Sequence, residues 1–402
     1  MKMLENETIV CISPSSWFSL WRNRQQIMSR LSQNNRVVFI EPQRNLLSFF
    51  KNFPKEYKLL FSIQSVKMNN NLDVFYSPPS LPLLGHLLPK ILLKALAPMI
   101  TKINNMIFRK YINKLLHHLR IKNPVIFYYN PFHYKLSGAF DEKLIIYYVY
   151  DELTLYPQNI CIKDIIEKYD TQFSKKADIV FASSYSQYAR RHCLNENTYV
   201  INNAVDFNNF NKTMCEILSI PDDIGNIPHP IIGYTGFLGF QIDVNLLLEI
   251  AKTHPKWSLV LIGPDNLPRN KIYYELKGMN NVHFLGEKDA KLLPNYIKSF
   301  DIAIMPYDIT THVKTSFPLK CFEYLATGTP IVSVNLPMLA DLKEIVKLAN
   351  TPKEFLSHIE NLLKIKPNEI IKKGIEEARK NTWDKRIAEL SEHISTVLQE
   401  KY

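Results

Sequence analysis

Short apolar runs bounded by Gly, Pro, Asn or Asp alternate along this chain with stretches of helical period. The runs Thr8 to Ser13, Arg36 to Ile40, Pro124 to Tyr129, Lys143 to Tyr150, Asp178 to Ala182 and Tyr199 to Ile201 read as buried strands. Trp17 to Ser32 and Asp164 to Lys176 between them read as helices. Polar positions then take over from Asn208 to Pro230, with Pro221, Gly225, Pro228 and Pro230, and predict a linker. The alternation restarts with strands Ile231 to Thr235, Trp257 to Ile262, Val282 to Leu285, Asp301 to Met305 and Ile331 to Val334, and a helix over Asp243 to Lys252. Strand–helix alternation of this kind predicts parallel sheets with crossover helices. The expected organisation is a doubly wound domain over 1–207, a linker over 208–230, a second doubly wound domain over 231–381 and a C-terminal helix over 382–402.

Ligands of open parallel sheets sit beyond the carboxyl ends of the strands. In the second half those ends carry Gly236 to Gly239, Gly263-Pro264, Gly286 and Pro306, which let a backbone approach a ligand closely. No GxGxxG and no GxxxxGK[ST] occurs, so a nicotinamide or flavin fingerprint and a P-loop are both excluded. The segment from Ser316 to Ser333 predicts a short capped helix running into a strand, with Thr315 or Ser316 as N-cap and Pro318 in the first turn. Lys320, Glu323 and Tyr324 share one face of it. A helix start with a lysine attracts phosphate, and a carboxylate one turn on accepts from sugar hydroxyls, which together suit a nucleotide diphosphate-sugar.

With 46% hydrophobic and 22% charged residues the composition is that of an ordinary globular protein. Five scattered cysteines show no ligand spacing, and the polar, acidic start lacks a signal peptide, so reduced thiols and a cytosolic protein are expected. The net charge of +11 is uneven: residues 1–205 hold 26 Lys+Arg against 14 Asp+Glu, the remainder 23 against 24. The basic half is expected to meet an anionic surface, a bilayer rather than nucleic acid, since no nucleic-acid module is present. Leu81 to Ile100, apolar but broken by prolines and lysines, reads either as an element lying in a membrane interface or as a helix packed on its own domain.

These residues together resemble the GT-B glycosyltransferases, most of all the bacterial cell-envelope group that includes the teichuronic-acid biosynthesis transferases. The resemblance rests on Ile232 to Gly236, Asp243, Trp257 to Pro264, Asn281 to Gly286, Pro318-Leu319-Lys320 and Phe322 to Ala326. In the first half it rests on Trp17, Trp21, Gln25, Tyr150-Asp151, Ala177-Asp178 and Asn203 to Asp206. It implies an α/β GT-B fold, two doubly wound Rossmann-like domains facing a central cleft. It further implies sugar transfer from a nucleotide diphosphate-sugar to a glycan or lipid-linked glycan in cell-envelope polysaccharide synthesis, at the inner face of the membrane. The donor would be bound by Gly236, Phe237, Gly239, Gly263, Pro264, Leu285, Gly286, Ser316, Lys320 and Glu323, with Glu323 on the ribose. Asp151 is the candidate catalytic base if the reaction inverts. Neither a metal nor a cofactor is implied. Thr315 and Phe237-Leu238 stand where many members carry Glu and Arg, leaving the stereochemical outcome open. A nucleotide-sugar 2-epimerase or a non-catalytic scaffold on the same fold are the alternatives.

Overall fold

The computed structural model describes residues 3–46, 62–82, 90–216, 219–309, 315, 317–365 and 367–402. The chain divides into two compact units, Met1–Asn202 with Arg386–Tyr402, and Asn203–Lys385.

The first unit is built on an eight-stranded sheet. Its strands are β1 (Thr8–Ile12), β2 (Arg36–Ile40), β3 (Ser65–Asn69), β4 (Leu72–Phe75), β5 (Val125–Tyr128), β6 (Leu144–Val149), β7 (Ile179–Ala182) and β8 (Thr198–Val200). They lie in the order β3-β4-β2-β1-β5-β6-β7-β8. All neighbours pair in parallel except β3 and β4. The central strands are apolar along their whole length because helices cover both faces. β3 is exposed at every residue and carries no apolar run, which is why the hydrophobic pattern gave no sign of it. The winding direction reverses between β1 and β5, so the switch point of this sheet lies at their carboxyl ends.

One helix of this unit, Lys90–His118, is unusual. Leu93, Ala97, Phe108, Ile112 and Leu115 recur at helical spacing and are buried in the unit's core. Between them Ile91, Leu92, Met99, Met106 and Ile107 face outward and are exposed. In the described portion of Leu81 to Ile100, then, one face packs on the domain, as the second reading expected, and another presents apolar groups to the outside. By length and composition Ile91–His118 is apolar enough to cross a membrane, with 28% of the qualifying stretch buried.

The second unit holds β9 (Ile231–Thr235), β10 (Ser258–Ile262), β11 (Val282–Gly286), β12 (Ile302–Met305), β13 (Ile331–Val334) and β14 (Val346–Ala349). They are parallel throughout, in the order β11-β10-β9-β12-β13-β14, with the switch point between β9 and β12. β14 carries Lys347 and is short, and its run was too weak to stand out in the sequence.

Three expectations about organisation are corrected. The stretch read as a linker, 208–230, is folded: it contributes helices Phe207–Cys215 and Asp222–Gly225, whose Phe210 and Ile224 are buried in the core of the second unit. Pro221 is the N-cap of the second of these helices, and Pro230 directly precedes β9. The units meet in sequence at Asn202/Asn203, and the C-terminal helix Trp383–Lys401 returns to the first unit from Arg386 onward. There Lys401 pairs with Asp178 at 2.8 Å and His393 stacks on Tyr199 with ring centroids 3.7 Å apart. The first helix starts at Asn23, not at Trp17. Gln25 holds the preceding residues in an irregular loop, its Nε2 donating to the carbonyls of Ser16, Trp17 and Leu20 at 3.2–3.4 Å.

Candidate functional site

Three strand ends of the second unit are joined through glycine. The Gly236 amide donates to the Ile262 carbonyl at 2.7 Å, and the Gly263 amide donates to the Gly286 carbonyl at 2.8 Å. Gly236, Gly263 and Gly286 have φ of +134°, +137° and +70°, conformations that side chains oppose. A Cβ on Gly263 would overlap the Gly236 carbonyl, and one on Gly236 would overlap the Lys320 side chain; Gly286 faces open space. The loop after β9 is tied to the loop after β10, since Leu238 donates to Pro264 at 3.1 Å and accepts from Asn266 at 2.7 Å. Gln241 fixes Phe237 by donating to its carbonyl at 2.6 Å, and the Phe237 ring covers Gly239.

Helix Leu319–Ala326 abuts this loop. Its N-cap is Pro318, with no side chain capping the first turn, in place of the expected Thr315 or Ser316; Ser316 itself lies outside the described residues. A proline cannot cap through a side chain, which leaves the first-turn amides without that kind of partner. Lys320, in that turn, lies against Gly236 with Nζ 5.4 Å from the Tyr234 ring centroid. Glu323 follows one turn on. Tyr324 does not share their open face. It is fully buried, and its hydroxyl accepts from the Thr235 amide at 2.9 Å, which fastens the helix to the last residue of β9. No sequence signal separated Tyr324 from its polar neighbours, because position along the helix alone does not say how far a ring reaches inward.

Burial pushes the Glu323 carboxyl above its usual range, Lys320 opposes the rise and Asp206 adds to it. Asp206 ends the loop Asn203 to Asp206, and the Asn203 side chain donates to the Phe317 carbonyl at 3.0 Å. Phe317 in turn stacks on Phe322 at 4.7 Å between centroids. Among the described residues, backbone amides, the Lys320 ammonium and the Glu323 carboxyl are thus assembled at the switch point of β9 and β12, where the expected residues Gly236, Gly263, Gly286, Lys320 and Glu323 come together. Pro264 belongs to the same tied loops, while Leu285 is half-buried on β11 beside Gly286.

In the first unit Asp151 follows β6. It caps no helix: Oδ1 accepts from the Glu152 amide at 2.9 Å and Oδ2 from the Tyr156 hydroxyl at 2.5 Å. It borders a shallow surface hollow together with Glu152, Asp170, Arg190 and Arg191. Arg190 pairs with Glu152 at 2.7 Å, Arg191 with Asp170 at 2.9 Å, and the Tyr147 hydroxyl donates to Asp170 at 2.7 Å. Arg190 is exposed, but Arg191, Glu152 and Asp170 are buried; adjacent arginines on an amphipathic helix look like a solvated face in sequence, so the sequence carried no sign of this.

Solved structures of the same architecture cover nearly the whole chain. Sucrose-phosphate synthase from Thermosynechococcus elongatus superposes with a TM-score of 0.70 over 98% of this chain and 100% of its own, at 13% identity. The trehalose-6-phosphate structure from E. coli bound with UDP-2-fluoro glucose gives 0.65 over 98% and 99%, at 12% identity. HepE from Anabaena, in complex with UDP and glucose, gives 0.62 over 97% and 100%, at 15% identity. The fold is GT-B. Within this GT-B chain, residues 229–364 match the family Glycosyl transferases group 1. The teichuronic acid biosynthesis protein TuaH of Bacillus subtilis (strain 168), which carries a glycosyltransferase name, is 34% identical over 114 residues. That stretch is 28% of this chain and 29% of the relative, so the match spans under a third of either.

Proposed function

We propose that this GT-B protein is a glycosyltransferase moving a sugar from a nucleotide diphosphate-sugar to a glycan or lipid-linked glycan of the cell envelope. The observation that carries the reading is the contact of Lys320 with Gly236 one helical turn before Glu323, at the switch point of the second sheet. As the glycosidic bond breaks, negative charge gathers on the leaving diphosphate. The first-turn amides of Leu319–Ala326 and the Lys320 ammonium are fixed where they stabilise that charge without reorganising. Glu323 accepts from the ribose hydroxyls, and the glycine-bearing strand ends leave room for the phosphates. A nucleoside diphosphate as donor is supported by the UDP complex of HepE, and the envelope role by TuaH. In the first unit Asp151 is the base for an acceptor hydroxyl, with Tyr156 orienting its carboxylate.

The same reading places the first unit on the anionic inner face of the membrane. Between Asp73 and Asp141 there is no acidic residue, while Lys94, Lys102, Arg109, Lys110 and Lys114 stud the long helix. Met99 and Met106, 52% and 54% exposed, provide apolar groups for the interface. Replacing Met99, Met106 and Ile107 by Ser should release the protein from phosphatidylglycerol vesicles in co-sedimentation, and unchanged binding would remove the membrane assignment.

The donor assignment is tested by calorimetric titration of UDP into the Glu323→Ala variant. Losing charge-assisted hydrogen bonds to the ribose should weaken binding by roughly tenfold or more. Equal affinity in variant and parent would overturn it. Conversion of a UDP-sugar to its epimer with no acceptor present would replace transfer by epimerisation.

A further inference from the structure

A buried cation lies at the switch point of the first sheet. Arg24 sits in the first turn of helix Asn23–Leu31, directly after the loop that leaves β1, and is 1% exposed. Its guanidinium reaches across the carboxyl edge to Tyr150 after β6, 4.9 Å from the ring centroid, and to Tyr129 after β5, 6.0 Å away. Among the described residues its Nε and Nη1 have no hydrogen-bond partner, and no carboxylate lies within ion-pair distance of it. The groups acting most strongly on it are Tyr150, Arg22, Tyr129 and Cys11, and burial pulls its pKa down. Among the described residues two further buried polar atoms lack hydrogen-bond partners, Tyr129 Oη directly after β5 and Ser15 Oγ in the loop after β1.

A desolvated arginine without a counter-ion is costly, and such groups are found paired. Tyrosine faces recover part of that cost, but the guanidinium edge remains unmet. The helix start reinforces the positive field. Its N-cap is Arg22, its first turn has no acidic residue, and the amides there point toward the carboxyl edge of the sheet. Two arginines, helix amides and two spare hydroxyls fit a tetrahedral oxyanion rather than a neutral sugar.

We propose that Arg24, with Arg22, Ser15 and Tyr129, binds a phosphate group carried by the acceptor. The proposal rests on the transferase reading in assigning that phosphate to an acceptor, and it specifies the acceptor's chemistry: a phosphorylated molecule, whether lipid or soluble sugar. Asp151 immediately follows Tyr150, so a phosphate held on Arg24 brings a neighbouring hydroxyl of the same molecule toward that carboxylate.

The test uses the full chain and needs no transfer reaction. Phosphate and pyrophosphate are titrated at constant ionic strength into the parent, Arg24→Met, Arg22→Gln and, as control for the donor site, Lys320→Ala. Fluorescence of Trp17 and Trp21, beside the site, reports the binding. The change read by Trp17 and Trp21 should survive Lys320→Ala, which removes only anion taken up at the donor site, while Arg24→Met and Arg22→Gln each lose roughly tenfold or more. Glucose 6-phosphate and farnesyl phosphate in detergent micelles then separate a soluble from a lipid source, and binding of either that depends on Arg24 supports the site. Binding that follows Lys320 alone, or that is the same in all variants, overturns the proposal. Because Arg22 is only partly buried, Arg22→Gln decides the matter if Arg24→Met fails to fold. UDP affinity in the same variants should be unchanged, so loss of the donor reading and loss of this one are distinguished.

Discussion

The tether between Tyr324 and Thr235 offers a sharp test of how the second unit positions its strand-end loop. Tyr324→Phe removes one oxygen from a ring that is already fully buried, so neither cavity nor new bulk accompanies the change. The Thr235 amide, 2.9 Å from that hydroxyl and on a residue only 2% exposed, is left without its acceptor. The Thr235 hydroxyl, 3.2 Å away, loses the same partner. Stranding one buried amide costs about 1–3 kcal/mol. For a unit of this size that lowers Tm by roughly 2–4 °C for each kcal/mol, measured by scanning calorimetry. Gly236 follows Thr235 directly and bears on Lys320, so release of the strand end also slackens the loop after β9. UDP affinity, measured in the same samples by titration calorimetry, should fall by about tenfold, equivalent to ~1.4 kcal/mol. A Tm within about 1 °C of the parent would refute the energetic argument. A lowered Tm with unchanged UDP affinity would refute the claim that this tether holds the donor loop.

Gly263→Ala forces a side chain into φ +137° and against the Gly236 carbonyl, and should destabilise by at least ~2–3 kcal/mol in urea unfolding. Gly286→Ala, at φ +70° and in open space, should cost only ~1–2 kcal/mol, so equal losses would contradict the nested-backbone account. Burial lowers the His133 pKa from 6.5 to about 4, so the native state keeps the ring neutral while the unfolded chain protonates first. Stability should therefore drop as pH falls from 6.5 toward 4, by up to about 3 kcal/mol, and His133→Phe should flatten that segment of the profile; coincident slopes would exclude the effect. Arg191→Met leaves Asp170 buried without its cation and should cost ~3–5 kcal/mol by chemical denaturation, whereas a loss below ~1 kcal/mol would show the ionic group to be hydrated.

The sequence by itself determined the fold class, because buried parallel strands must be apolar on both faces and therefore announce themselves as runs such as Leu144–Val149 and Ser258–Ile262. It also marked the strand-end cluster of the second unit, since Gly236, Gly263 and Gly286 take positive φ, and Lys320 and Glu323 lie within one turn of each other. Elements that escape the two-faced burial left no such trace: β3 is wholly exposed, and the turn-rich stretch 208–230 buries only scattered residues such as Phe210 and Ile224. Tertiary structure alone decided that Tyr324 turns inward to Thr235, and that the C-terminal helix returns to the first unit. It alone set Arg24 over two tyrosines contributed by strands more than a hundred residues away. Those outcomes depend on which side chain meets which across the sheet, and a one-dimensional pattern holds the period of each element but not the partner it faces.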